Sequence, residues 1–162
     1  MVACDRGHRN GLIYPDAEGC LLSGGGFNGS AQHLLVLVEG VAHDVEHLLS
    51  LFTDDCLYED VTFGVANHGK AELKAFANGI FAAFPDFKVE LTSGFTAGDW
   101  AAMEWIISGT HKGDLPGMTA TNKTFSIRGA TIIELRSGKI KRNSDYWDLV
   151  TFLKQVGLMP SA

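Results

Sequence analysis

The chain has 162 residues, 46% of them hydrophobic and 20% charged, with a net charge of -6, so it is sized and composed for one soluble domain with one core. The acidic balance without a basic stripe argues against nucleic acid and anionic membrane as partners, and no apolar run approaches the ~18 residues that a spanning helix needs. Asp5, Arg6, His8, Arg9 and Asn10 stand where a signal peptide would be apolar, and the cysteines (Cys4, Cys20, Cys56) are an odd set at irregular spacing, so a cytoplasmic protein with reduced thiols is expected.

Residues 1–29 are glycine-rich, end in GGGFNG and have no sustained apolar period. They are expected to form a flexible N-terminal extension, with the domain proper spanning 30–162. Ser30 is suited to cap a helix over Ala31–Glu39, which Gly40 interrupts. Val41–Phe52 continues helically, with Val41, Val45, Leu48, Leu49 and Phe52 on one face, and Thr53-Asp54-Asp55 ends it. LYEDVTFG (Leu57–Gly64) is a short strand or bend. Gly69–Phe84 is the next helix, with Leu73, Phe76, Ala77, Ile80, Phe81 and Phe84 on its apolar face and Pro85 as its stop.

The apolar period then changes to two. Phe87–Thr96, Trp100–His111, Lys123–Arg136 and Lys139–Asp145 are predicted strands. The third is the clearest, with Phe125, Ile127, Gly129, Thr131, Ile133 and Leu135 on one face. Ser137-Gly138 is a tight turn, and Asp148–Val156 is a closing helix that ends at Gly157. Helices, then a run of strands, then one helix is an α+β pattern. A long curved sheet around helices leaves an apolar cone suited to a small hydrophobic ligand.

Several motifs carry less than they suggest. HDVEH (His43–His47) matches H-x-x-E-H, in which two histidines share a metal and Glu46 serves as base. No later helix offers a third ligand, so the segment is read as a solvated helix face and no metal is expected. GGGFNG satisfies G-x-G-x-x-G at Gly24, Gly26 and Gly29, but no βαβ unit surrounds it, so it is read as a linker. Cys56 is read as a packed thiol and His111 as a surface or structural histidine.

LFTDDCLYEDVTFG, HGKAELKAF, GTHKGDLPGM, LRSGKI and SDYWDLVTFLKQVG, in this order, resemble the SnoaL-like polyketide cyclase family of the nuclear transport factor 2-like superfamily. The resemblance runs from about Val38 to Leu158 and implies a cone-shaped barrel, a curved antiparallel sheet wrapped around N-terminal helices. In the family's cyclases an aspartate at the end of the last strand acts as general acid/base, and Asp145 in NSDYWDL matches it. Asp145 also matches the aspartate that precedes Tyr-Phe-Asp-Leu in limonene epoxide hydrolase. If the last strand alternates, Lys141, Asn143 and Asp145 share the face toward the cone, where burial would raise the pKa of Asp145. The residues alone leave a second role open for Asp145, as cap of the closing helix, for which Asp148 is the stronger candidate. Asp60 is similar to the second acid of the ketosteroid isomerase Glu-Asp pair, with Glu59 pointing the other way.

The departures from these relatives are specific. Thr131 stands where the cyclases carry a histidine. Trp105 and Ile107 stand where the epoxide hydrolase has an arginine and an aspartate. Ala31–Glu39 has no tyrosine to match the isomerase's oxyanion donor. The expectation is therefore a cofactor-independent cyclase or isomerase acting on a hydrophobic, polyketide- or terpenoid-like carbonyl compound. The alternatives are an epoxide hydrolase with altered machinery and a non-catalytic ligand-binding module. Asp145 and Asp60 are the expected catalytic carboxylates. Asn143 and Thr131 are expected to hydrogen-bond the substrate, and Trp105, Phe76, Phe84, Ile107, Ile127 and Ile133 to line the cone. No metal or organic cofactor is expected, and the chain is expected to pair as a homodimer. Removing residues 1–29 should leave Tm nearly unchanged in scanning calorimetry. A fall of many degrees would mean that the extension packs on the domain.

Overall fold

The computed structural model describes residues 43–160. The 1–29 extension with its glycine motif and Cys4 and Cys20, the Ser30 cap and the helix expected over Ala31–Glu39 all lie outside the described residues. The elements in chain order are α1 (Val45–Ser50), β1 (Phe52–Asp60), β2 (Val65–His68), α2 (Gly69–Ala83), β3 (Lys88–Ala97), β4 (Trp100–Thr110), β5 (Thr124–Arg136), β6 (Lys139–Trp147) and α3 (Leu149–Gln155). The six strands form one curled sheet in the order β2-β1-β6-β5-β4-β3. Neighbours are antiparallel except β1 and β6, which run parallel. The sheet does not close, since β2 and β3 are its two edges.

The first part of the chain differs from its helical reading. Asp44 caps α1 by accepting the His47 amide at 2.9 Å, and the helix stops at Ser50. Phe52 opens β1 instead of closing a helix, and it is fully buried opposite Ile140 of β6. The acidic pair read as a helix end is part of that strand. Its register against β6 shifts between Phe52 and Leu57, and both Asp54 and Asp55 face solvent there. A regular strand would turn one of two consecutive aspartates into the core, and the irregularity avoids that cost. Asp54 pairs with Lys70 at 2.8 Å, and Asp55 pairs with Arg136 and with Lys141. β2 was not foreseen. Gly64, at φ 69°, turns the chain so that Val65 can pair back on Asp60.

The partner strand carries the matching bulge. Between β5 and β6 the pairing steps from Glu134–Arg142 to Leu135–Ile140, leaving Lys141 as the extra residue. Lys141 therefore points outward to Asp55 and does not share the face of Asn143 and Asp145. Ile140, Asn143, Asp145 and Trp147 form the inner face of β6. Ser137 and Gly138 both have positive φ (52° and 76°), the two-residue turn that matches the twist of the β5–β6 hairpin.

α2 lies against the inner face of the sheet and buries Leu73, Ala77 and Ala83. Its start is stabilised by Glu72, whose carboxylate accepts the His68 amide at 2.7 Å, and Phe84 caps its end just before Pro85. Two apolar clusters result. One gathers Phe52, Leu73, Ile133, Leu135 and Ile140, and the other gathers Phe84, Phe125, Phe152 and Val156. α3 closes the second, capped by Asp148, which accepts the Thr151 amide at 2.9 Å and its hydroxyl at 2.6 Å. No helix among the described residues is long and apolar enough to cross a membrane.

Candidate active site

Strand register brings the polar groups together. Asp60, Asp145, Thr131 and Met103 are partners across β1, β6, β5 and β4. In one flanking row Tyr58 lies beside Asn143, and in the other Trp147 and Trp105 lie on either side of Gly129. Side chains two apart on a strand share a face, so these three rows aim at the same space.

Asp145 is the centre of a hydrogen-bonded group. Thr131 Oγ1 donates to its Oδ1 at 2.6 Å, Asn143 Nδ2 donates to the same oxygen at 2.9 Å, and the Tyr58 hydroxyl donates to Oδ2. Thr131 is itself oriented, because Trp105 Nε1 donates to its Oγ1 at 2.8 Å and leaves the threonine hydrogen for Asp145. Burial dominates the acidity of Asp145 and raises its pKa above the ordinary aspartate value. The three donors oppose that rise and nearby Asp60 adds to it. Burial, with the charge of Asp145, also lifts Tyr58 well above the usual tyrosine value.

Asp60 is 6% exposed. It accepts the Phe63 amide at 2.8 Å and the Trp147 indole N–H at 3.1 Å, and burial raises its pKa. Glu59 faces the other way, paired with Arg142 at 2.9 Å and accepting the Ser144 hydroxyl at 2.8 Å.

These groups form the polar patch of a cavity of about 170 Å³ between the sheet and α2. Of the residues expected to line it, Trp105, Phe76, Phe84, Ile107 and Ile127 do so. Ile133 does not. It is 1% exposed and packs with Leu135, Ile140 and Phe52 in the first apolar cluster, although its partner across β6, Asn143, lines the cavity. Tyr58, Phe63 and Trp147 belong to the site but were missed. Trp147 continues the Asn143–Asp145 alternation by one step. Tyr58 is two residues before Asp60, a period of two that the reading of LYEDVTFG as a short strand or bend left unused.

The profile of the SnoaL-like polyketide cyclase family matches residues 32–156. The chain belongs to the SnoaL-like polyketide cyclase family. Among solved structures, a candidate SnoaL-like cyclase from Jannaschia sp. CCS1 superposes with a TM-score of 0.75 at 17% identity, covering 85% of this chain and 100% of its own. A protein of ketosteroid isomerase-like fold from Catenulispora acidiphila, solved with trimethylamine, gives 0.70 at 23% identity, covering 80% and 94%. IdmH, a candidate polyketide cyclase from Streptomyces antibioticus, gives 0.68 at 24% identity, covering 80% and 99%. At these identities the three support the fold. No curated protein matches the chain.

Within the SnoaL-like fold the other sequence motifs fall away from the cavity's polar patch. His43 precedes α1 at φ 64° with its ring on Phe81, 4.7 Å between centroids, so it is not one helical turn from His47. Glu46 pairs with Lys74. Cys56 is buried, and burial pushes its thiol pKa up. His111 is fully buried between Phe84 and Phe152, and burial lowers its pKa.

Gly129 is the enabling residue of the site. A Cβ there would lie 2.1 Å from the Trp105 ring, so only glycine lets the indole lie across β5 and reach Thr131. Gly129→Ala should lower unfolding free energy by about 1–3 kcal/mol in denaturant titrations. It should also shift the tryptophan emission as the ring leaves Thr131. Wild-type stability and spectrum would contradict this placement.

Proposed function

We propose that this protein is a cofactor-independent acid/base enzyme that moves a proton on a compact, hydrophobic carbonyl compound, as in intramolecular cyclisation or isomerisation. The observation that carries the reading is Asp145, a carboxylate of raised pKa held by Thr131, Asn143 and Tyr58 at the polar end of an apolar cavity. Removing a proton from carbon next to a carbonyl needs a positioned base and a donor for the oxygen that gains charge, and neither has to be a cofactor. A base with a raised pKa binds the abstracted proton more tightly than a solvated aspartate would. Asp60, a second buried carboxylate of raised pKa in the same lining, supports the reading as a further acid/base group. The cavity is large enough for about one substituted ring, so the reading favours a compact substrate. The position of Trp105 and Ile107 in the wall gives no support to water activation by an arginine–aspartate pair.

The reaction can be tested without knowing the natural substrate. Aryl methyl ketones and cyclic 1,3-diketones incubated with the protein in heavy water should exchange their α-hydrogens, followed by proton NMR. Asp145→Asn should fold normally and lose about two to four orders of magnitude in exchange rate. In the wild type the rate should fall as pH drops through the raised pKa of Asp145, because protonation removes the base. Equal rates in the two proteins would sink the proposal.

A further inference from the structure

The donors around Asp145 leave one place for its proton. Oδ1 accepts from both Thr131 and Asn143. Asn143 cannot reverse its role, because its amide nitrogen has no lone pair to offer. Thr131 keeps its role because Asp145 Oδ1 is the one acceptor that its hydroxyl hydrogen has among the described residues, the Trp105 N–H being a donor. A proton on Asp145 therefore sits on Oδ2, against the Tyr58 hydroxyl. When Asp145 is ionised, Tyr58 donates to it, and the phenol presents only lone pairs to the cavity that it lines. When Asp145 is protonated, the carboxyl donates to Tyr58, and the phenolic hydrogen is released to the cavity.

We infer that Tyr58 is the catalytic residue that meets the substrate oxygen, donating a hydrogen bond to a ketone or enolate oxygen whenever Asp145 holds a proton. This rests on the acid/base reading and specifies its oxygen contact. Asp145 takes the α-proton on Oδ2 as the C–H bond breaks and the electron pair moves onto the carbonyl oxygen. The same event turns Tyr58 toward that oxygen. If the enolate is then protonated on oxygen, Tyr58 gives up its hydrogen and receives the one on Asp145 Oδ2, which returns to carboxylate. No oxidant, reductant or further reagent is consumed. The base thus switches on the donor at the moment when negative charge appears. Phe76 and Phe52 flank the Tyr58 ring at centroid distances of 5.4 and 6.3 Å and hold it in place. Asp60 on β1 is the other titratable group facing the pair. β5, β4 and α2 bring Thr131, Trp105 and Phe76, which do not titrate, and the described cavity lining holds no lysine, arginine or histidine.

The test uses acetophenone and α-methylstyrene, which have the same shape and differ by C=O against C=CH2. Their affinities are read by calorimetry on the full chain. Asp145→Asn presents its amide oxygen to Thr131 and Asn143 and its NH2 to Tyr58, which fixes the arrangement of the protonated acid. This variant should prefer the ketone by about tenfold at every pH. The wild type should show that preference below the Asp145 midpoint and lose it as pH rises through it. Tyr58→Phe should bind both probes equally at every pH, with its α-methylstyrene affinity reporting that the cavity is intact. A ketone preference that survives in Tyr58→Phe, or no preference in Asp145→Asn, overturns the inference. Hydrogen exchange is a separate readout. Full exchange activity in Asp145→Asn would defeat the acid/base reading while the ketone preference still decides the role of Tyr58.

Discussion

A carboxylate enclosed by aromatic and aliphatic side chains keeps its charge only where hydrogen bonds replace the water it has lost, and otherwise it takes up a proton. Asp145 lies between these limits. Thr131, Asn143 and Tyr58 offset part of the desolvation, but burial still dominates and holds its pKa up. The balance has a consequence for stability. A folded-state pKa raised above the unfolded value means that the folded chain binds the proton more tightly. The contribution of Asp145 is then most favourable below the unfolded pKa and is lost as pH rises through the folded one. Asp60 adds a term of the same sign. The exposed aspartates Asp54 and Asp148, whose pKa values are lowered by Lys70 and Thr151, act in the opposite direction as pH falls. The two buried carboxylates thus cost stability at neutral pH relative to solvated ones.

Much of the scaffold serves to place that one group. The parallel pairing of β1 with β6 sets Asp60 and Tyr58 beside Asp145 and Asn143. The bulge at Lys141 keeps the charged end of β6 outside, so that Ile140 and Asn143 both reach the interior. Gly129 clears the space through which Trp105 orients Thr131. Where the cyclase resemblance implied a histidine, Thr131 sits as a link in a fixed chain of donors. A threonine there cannot exchange protons near neutral pH, which leaves Asp145, Tyr58 and Asp60 as the titratable groups of the described cavity lining.

The α+β class, α2 and the last four strands were legible because each repeats a period over ten or so residues. The same alternation put Asn143 and Asp145 on one face, though it added Lys141, which the bulge turns outward. What failed was local. Acidic residues in a row at Asp54-Asp55 imitate a helix end, because a strand that bulges outward has no period of two to read. The bulge at Lys141 is likewise invisible in the local pattern, because it is defined by the register of β6 against β5 and turns Lys141 toward Asp55, a residue far away in sequence. Ile133 has the pattern of a wall residue, but its depth depends on how sharply the sheet curls. Tyr58 could be recognised only once β1 was known to pair with β6, since its contact with Asp145 spans 87 residues.

The claim on which the rest depends is that the Asp145 carboxyl titrates high while hydrogen-bonded to Tyr58. Carbon-13 NMR of protein labelled at the aspartate side-chain carboxyl, with Asp145→Asn and Asp60→Asn to assign the two buried signals, measures it directly. The account predicts an Asp145 midpoint above the ordinary aspartate value of 3.8 that moves when Tyr58 is replaced by phenylalanine. A midpoint at or below that value, unmoved by Tyr58→Phe, would contradict it.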